Sequence, residues 1–164
     1  MRRASHLVIR SLVLALALTL GAGAARASHY AVADVPRLVP AADVDKLHKA
    51  GIETTEQLLD KAAKSKDRKA LAKASGLKAA ALLDLAKRCD LLRIKGVGSE
   101  MVLLLEAAGV KTTADLAKQQ AGTLMESITG ANKAKKITEK PPTEPQVSDW
   151  IAQAQKLPQL LEQK

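Results

Sequence analysis

The 164-residue chain carries 26 Lys and Arg residues against 17 Asp and Glu residues, which gives a formal net charge of +9. One Tyr and one Trp are its only aromatic residues. This composition argues against single-strand binding, because proteins that grip single-stranded nucleic acid stack the bases on several aromatic rings. The single cysteine, Cys89, excludes an intramolecular disulfide framework.

The amino-terminal residues have the pattern of an export signal. A basic start precedes an apolar run over residues 12–20, and Ala25-Arg26-Ala27 offers small residues for cleavage before Ser28. The run is shorter than the ~20 residues that a helix needs to cross a bilayer. Residues 1–27 are therefore predicted to be a signal peptide. The mature chain is predicted to be periplasmic or secreted, without a stable membrane anchor. Its formal charge is only +5, because cleavage of the signal peptide removes four arginines.

The first part of the mature chain predicts a lead-in followed by two helices. Residues 28–40 contain two prolines and are predicted to form an extended lead-in. A helix over Ala41–Ala50 ends at Gly51, since glycine readily adopts the left-handed conformation common at helix C-termini. Thr54 begins the second helix, and Gln57 three positions later completes a capping box.

Two further helices follow, over about residues 66–74 and over residues 78–92. The first ends at Ser75-Gly76. In the second, Cys89 shares one face with apolar residues at helical spacing. These residues are Leu82, Leu85, Ala86 and Leu92. Cys89 is therefore predicted to be a small buried side chain, with a redox or dimer-forming thiol as the alternative.

The second part of the chain predicts three more helices. A fifth helix over Ser99–Ala108 ends at Gly109, and Thr112 with Asp115 begins a sixth. The predicted inner face of the fifth helix consists of Met101, Leu104, Leu105 and Ala108. After the linker Pro141-Pro142, a last helix begins at Thr143 and ends before Pro158, and residues 158–164 form a tail. Its buried face is predicted to consist of Val147, Trp150, Ile151 and Ala154. Trp150 is predicted to pack the helix over the repeats, and a partner-binding tryptophan is the alternative.

A repeat with an offset of 58 residues relates the first and fifth helices and the helices that follow them. Six identities fall in register at turn-forming and core positions. They pair Leu47, Ala50, Gly51, Thr54, Thr55 and Leu58 with Leu105, Ala108, Gly109, Thr112, Thr113 and Leu116. Each unit thus consists of a helix, a glycine stop, an apolar residue (Ile52 or Val110) and a threonine-capped helix.

The segment from Leu91 to Thr113 has the pattern of a helix-hairpin-helix loop, a motif usually met in DNA-binding proteins. A Gly-x-Gly turn can direct successive backbone N–H groups at a phosphate near a helix N-terminus. The candidate phosphate- or DNA-binding residues are Arg93, Lys95, Gly96, Val97, Gly98 and Ser99. The first unit lacks this loop, since Leu38 and Pro40 occupy the positions of the two glycines.

Glu100 opposes a phosphate at this loop, because its carboxylate suits the positive end of the helix and repels a second anion. A short Gly-x-Gly sequence is also a weak signal on its own. The favoured interpretation is therefore that the glycines make a tight connection between two helices, and phosphate binding is the alternative.

Three stretches carry a resemblance to a known family: Arg93–Glu100, Leu105–Thr113 and Gln146–Ile151. Together they resemble an uncharacterised bacterial domain family built from tandem helix-hairpin-helix-like units, and the similarity spans roughly residues 35–157. The resemblance implies a compact all-helical domain, here placed at residues 41–157, and no established activity. The unit also resembles the helical hairpins with which the C-terminal domain of the RNA polymerase alpha subunit meets DNA and activators. Leu38 and Pro40 depart from the family pattern, which usually keeps glycines in the first unit.

No catalytic constellation is recognised in the sequence, so the chain is predicted not to be an enzyme and to need no cofactor or metal. His29 lies in the lead-in, and His48 has no cysteine or second histidine at ligand spacing. Neither a Walker loop, a serine–glycine elbow nor a pair of catalytic carboxylates is present.

Two functions follow as hypotheses. The first is an exported interaction module that binds another envelope protein, and the alternative is weak, sequence-independent binding of double-stranded DNA through the loop at residues 95–99. Two basic clusters could serve either function, although such lysines usually lie on solvated helix faces. They consist of Lys61, Lys64, Lys66, Arg68 and Lys69, and of Lys133, Lys135, Lys136 and Lys140.

The export signal makes a direct prediction about the mature N-terminus. Because the small residues at positions 25 and 27 suit signal peptidase, protein recovered from an envelope fraction should begin at or within a few residues of Ser28. Intact-mass spectrometry measures this. A chain that retains Met1, or that is confined to the cytoplasm, would overturn the predicted compartment.

Overall fold

The computed structural model describes residues 30–163, so the predicted signal peptide and His29 lie outside the described residues. This part of the chain is helical and contains no β-strand, which confirms the prediction of an all-α domain. None of its helices has the length and apolar character needed to cross a bilayer. The helices are Ala41–Lys49 (α1), Thr55–Ala63 (α2), Ser65–Ser75 (α3), Ala79–Leu91 (α4), Ser99–Ala107 (α5), Thr113–Leu116 (α6), Ala121–Lys135 (α7) and Glu144–Lys156 (α8).

The 58-residue repeat is visible in two units of matching geometry. Helices α1 and α5 are both nine residues long. Each is followed by a glycine in the left-handed region, with φ of 79° at Gly51 and 92° at Gly109. The next residue, Ile52 or Val110, is buried and donates its N–H to the carbonyl five residues earlier at 2.9 Å. The predicted glycine stops and apolar residues are therefore confirmed in both units.

The second helix of each unit starts in the same way but ends differently. Thr54 and Thr112 both form the predicted capping boxes. Helix α2 then continues for nine residues, whereas α6 ends after four. The chain next forms α7, a 15-residue helix that was not predicted from the sequence. Gly122 and Gly130 lower its intrinsic helix propensity, so α7 depends on packing against α5 and α8.

Residues 30–40, predicted to be an extended lead-in, instead fold into the domain. Val32–Asp34 form a 3-10 turn. Tyr30 and Thr55 fix its start, because Thr55 N–H donates to Tyr30 O at 2.9 Å and Tyr30 N–H donates to Thr55 Oγ1 at 3.2 Å. The apolar residues of the segment recur at steps of three or four, which places them on one side of a tight turn. The buried residues are Val32, Val35, Leu38 and Val39.

The core lies between α2 and α4 in the first half of the domain and between α5, α7 and α8 in the second. Cys89 on α4 is 5% exposed, as predicted from its apolar face. Burial raises the pKa of the Cys89 thiol to about 12, and the neighbouring Asp90 adds to the shift. A thiol with this pKa stays protonated at neutral pH, and Cys89 packs in the core as a small buried side chain.

Helix α5 buries Leu104 and Leu105 as predicted, but it also buries Val102, which was not predicted. Met101 and Ala108, predicted to face inward, are only partly buried. Both still pack against the core, and α5 contacts α7. The buried residues of α5 are Val102, Leu104 and Leu105.

Helix α8 agrees with the prediction in its start and its buried face. Thr143 N–H donates to Gln146 Oε1 at 2.9 Å, and Trp150 is 3% exposed. The helix contacts α6 and α7, so Trp150 secures it over the second unit, as predicted. The side chains that it buries are Val147, Trp150, Ile151 and Ala154.

Candidate functional site

The candidate site is the loop between α4 and α5 together with the first residues of α5. All the site residues predicted from the sequence are consecutive or nearly so, and the structure decides where each side chain and backbone group points. They are Arg93, Lys95, Gly96, Val97, Gly98 and Ser99.

The Arg93 side chain is held inside the domain and is not offered to a ligand. Its Nη1 donates to Asp90 Oδ1 at 2.7 Å and to Pro158 O at 3.1 Å. Asp90 is only 2% exposed, and its Oδ2 accepts the N–H and the Oγ1 hydroxyl of Thr113, both at 2.8 Å. A buried carboxylate is tolerated only when it is paired and hydrogen-bonded. Arg93 is therefore committed to neutralising Asp90.

The backbone of Lys95 is occupied by a side chain from α8. Lys95 N–H donates to Gln153 Oε1 at 2.8 Å, and Gln153 Nε2 donates to Lys95 O at 3.2 Å. The amide of Gln153 thus satisfies both backbone groups of one loop residue. An N–H group that a phosphate would need is already bonded. The Lys95 residue itself is exposed, so its ammonium group faces solvent.

The next two residues close the turn against the core. Gly96 has φ of 89°, and a Cβ added at this position would lie 3.1 Å from Trp150 Nε1. Val97 is 1% exposed, and its N–H donates to Ile94 O at 3.1 Å. Gly96 is therefore required by backbone conformation and by the approach of Trp150, which is a structural reason for its presence.

Gly98 is different from Gly96. It is the N-cap residue of α5 with φ of −93° and ψ of −175°, an extended conformation that any residue can adopt. A Cβ added there would meet no atom within 4 Å among the described residues. Neither conformation nor packing within residues 30–163 requires glycine at position 98. The open space at Gly98 is the part of the loop that a ligand could approach.

Glu100, in the first turn of α5, is paired with residues outside its own helix. Arg37 Nη1 donates to Glu100 Oε1 at 2.7 Å, and Thr138 Oγ1 donates to Glu100 Oε2 at 2.7 Å. Arg37 occupies the position in the first unit that Lys95 occupies in the second, at the offset of 58 residues. The carboxylate is about half exposed, so it still places negative charge near the α5 N-terminus. It lowers the affinity of this end of the helix for an anion.

The first basic cluster is smaller than its sequence implied. Arg68 is 4% exposed, and its Nη1 donates to the carbonyls of Ala62 and Ala63 at 2.7 and 3.2 Å. Arg68 is therefore a buried structural residue, whereas the remaining members of both clusters are exposed lysines.

Two residues central to this region were missed by sequence reasoning. Asp90 and Gln153 lie on helices that the sequence predicted correctly, but their partners are 23 and 58 residues away. A polar residue next to the buried Cys89 is the only sequence signal that could have marked Asp90. Of the residues predicted not to bind metal, His48 has its Nε2 3.5 Å from Glu53 Oε2. Across residues 30–163, no group of three His, Cys, Asp or Glu residues could hold a metal ion.

Fold and site together define an all-helical domain in which a helix–glycine–helix unit occurs twice. A family model described as a domain of unknown function, DUF4332, matches residues 39–157, and the chain belongs to this family. The match includes α1 to α8 and ends one residue after α8. No curated protein and no solved structure matches the chain.

The contrast between the two loop glycines is testable by alanine substitution. Gly96→Ala should lower the free energy of unfolding by about 1–3 kcal/mol, because alanine is strained at positive φ and its Cβ crowds Trp150. The matched control Gly98→Ala should change it by less than about 0.5 kcal/mol. Urea unfolding followed by the fluorescence of the single tryptophan measures both. Equal losses in the two variants would contradict the structural assignment of Gly96.

Proposed function

We propose that the mature chain is an exported, non-enzymatic module of two helix-hairpin-helix-like units that binds another protein of the cell envelope. The observation that carries the proposal is the pair of hydrogen bonds between the side-chain amide of Gln153 and the backbone of Lys95. Gln153, which lies on α8, thereby occupies a backbone N–H group that a phosphate-binding loop would present to its ligand. With the loop used to join helices, the exposed helix faces are the surfaces left for recognition.

The buried polar groups support a scaffold in preference to an enzyme. Asp90, Arg93 and Thr113 join three segments of the chain, and Arg68 binds the end of α2. Each of these groups has a structural partner within the domain. Catalytic groups are more often poised in a cleft with perturbed protonation, and the one strongly shifted thiol, Cys89, is buried and protonated. Export rests on the sequence of residues 1–27.

Weak binding of double-stranded DNA is the second candidate, and one observation favours it. Lys95 is exposed, and three residues later the chain leaves open space at Gly98. One such loop, with Glu100 close by and a mature charge of only +5, predicts sequence-independent binding with a Kd on the order of 10⁻⁵ M near physiological salt.

The proposed function predicts a specific protein partner. Cross-linking of the affinity-tagged full-length chain in envelope preparations of its own host should yield a discrete, saturable adduct with one protein. The folded Lys95→Glu variant should give the same adduct, because the loop is not the docking surface. An unrelated exported helical protein of similar charge serves as the control. Adducts no more selective than those of the control would defeat the proposal.

Duplex binding provides the opposing measurement. Fluorescence anisotropy with a short random-sequence duplex should detect at best micromolar binding by the wild type. Lys95→Glu and Gly98→Ala are the loop variants, and Lys111→Glu, an exposed lysine in the turn after α5, is the matched control. Submicromolar binding that is lost in folded Lys95→Glu and retained in Lys111→Glu would establish the DNA function instead.

A further inference from the structure

The C-terminal segment of the chain, residues 158–163, folds back onto the junction between α2 and α3. Glu162 N–H donates to Ala63 O at 2.9 Å, and Ser65 N–H donates to Glu162 Oε2 at 2.8 Å. The segment, called the tail below, was predicted only as residues following the last helix. It is held by contacts that span 97 residues of sequence.

Helix α3 receives its N-terminal cap from this tail. The residue at the cap position is Lys64, which makes no capping side-chain hydrogen bond within the part of the chain described. The Glu162 carboxylate takes its place at Ser65 N–H, where a negative charge also suits the positive end of the helix. The junction thus binds a carboxylate that comes from elsewhere in the chain.

Two arginines of the domain receive backbone carbonyls of the tail. Arg68 Nη2 donates to Glu162 O at 3.1 Å, while the same buried guanidinium binds the end of α2. Arg93 Nη1 donates to Pro158 O at 3.1 Å. Contacts to these carbonyl oxygens add main-chain hydrogen bonds to the one made by the Glu162 carboxylate, in the way that peptide-binding grooves use main-chain hydrogen bonds for affinity.

Side-chain preferences come from the surroundings of the tail. Leu161 packs against the core, which favours an apolar residue immediately before the carboxylate. Around Glu162 lies an open depression of about 560 Å³. Exposed lysines on one side of α3 line it, and they favour an acidic occupant through charge complementarity. These lysines are Lys66, Lys69 and Lys73.

The domain residues that bind the tail, Ala63, Ser65, Arg68 and Arg93, are called the groove below. The family match separates this groove from the tail that occupies it. The match ends at Leu157, so Ser65, Arg68 and Arg93 belong to the domain and the tail lies outside it. We propose that this groove is a peptide-docking site, occupied in cis by the tail, into which the protein partner inserts an extended segment with a leucine followed by a glutamate. The proposal rests on the proposed function, because it names the surface and the chemistry by which the partner is bound. The tail competes with the partner for the same groove.

A labelled peptide with the sequence of residues 157–163 is the direct probe. In the full-length wild type the covalently attached tail has an effective concentration in the millimolar range and should block the peptide. Glu162→Lys removes the cap and places a positive charge beside the α3 lysines, so the tail should leave the groove. The Glu162→Lys chain should then bind the peptide at least tenfold more tightly than the wild type, as measured by fluorescence anisotropy.

Release of the tail is measured separately by hydrogen exchange at the amide of position 162, which bonds Ala63 O in the wild type. Exchange there should accelerate at least tenfold in Glu162→Lys. An amide that stays protected in that variant would show that the groove does not depend on the carboxylate, and it would overturn the proposal.

Matched variants test the recognition. A peptide with glutamine in place of glutamate should bind the Glu162→Lys chain at least fivefold more weakly. Adding Lys66→Glu and Lys69→Glu to that chain should have a similar effect, while Lys133→Glu and Lys135→Glu, exposed lysines on α7, should not. Equal binding of both peptides, or no peptide binding by a chain whose tail is released, would overturn the proposal that the groove is a peptide-docking site.

The two proposals fail in distinguishable ways. If the envelope adduct persists unchanged in the full-length chain carrying Lys66→Glu and Lys69→Glu, the partner docks elsewhere, which overturns the groove and leaves the proposed function standing. Absence of any selective adduct with the wild type defeats the proposed function, whatever the peptide does.

Discussion

The buried carboxylate of Asp90 is the constraint on which the second half of the domain depends. It lies near the end of α4 and is 2% exposed, so its charge must be balanced inside the protein. Thr113 supplies two hydrogen bonds from the start of α6, and Arg93 supplies the opposite charge from the α4–α5 loop. The Asp90 side chain therefore links three parts of the chain: α4, the α4–α5 loop and the start of α6. All three are held together because the buried carboxylate cannot be left unpaired.

This arrangement gives the glycine loop a structural role as the connection between α4 and α5. Arg93 is withdrawn to balance Asp90, and Gln153 satisfies the backbone of Lys95. Gly96 has no side chain that would crowd Trp150. What the loop leaves open is the space before Gly98, where the half-exposed carboxylate of Glu100 weakens the binding of an anion. Recognition is then expected on the helical exterior. Arg93 Nη1 also donates a hydrogen bond to Pro158 O, so the residue that pairs with Asp90 also binds the tail.

Local signals in the sequence were sufficient for most helix boundaries. Gly51 and Gly109 end helices because glycine tolerates positive φ, and Thr54 and Thr112 begin them because their side chains accept backbone N–H groups. The 58-residue repeat in sequence corresponds to a repeat in hydrogen bonding. Helix α7 escaped prediction because Gly122 weakens its local preference and tertiary contacts supply its stability.

Long-range polar contacts account for what the sequence could not predict about the site. A pattern of residue types does not show that Arg93 faces Asp90 and not solvent, nor that Gln153 reaches a loop 58 residues earlier. The same holds for Arg68, which stands in a run of lysines but is buried. In each case the free-energy cost of burying an unpaired polar group determines where the side chain lies. That cost depends on neighbours that only the fold brings together.

A double-mutant cycle on Asp90 and Arg93 tests the central claim that this pair is a structural joint. The free energy of unfolding is measured for wild type, Asp90→Asn, Arg93→Met and the double variant. Each single substitution should cost about 2–4 kcal/mol, and the double variant should cost at least about 1 kcal/mol less than the sum, because each partner left alone is a buried unpaired charge or donor. Single losses below about 1 kcal/mol that simply add would show that Arg93 is not committed to Asp90, and they would contradict this account.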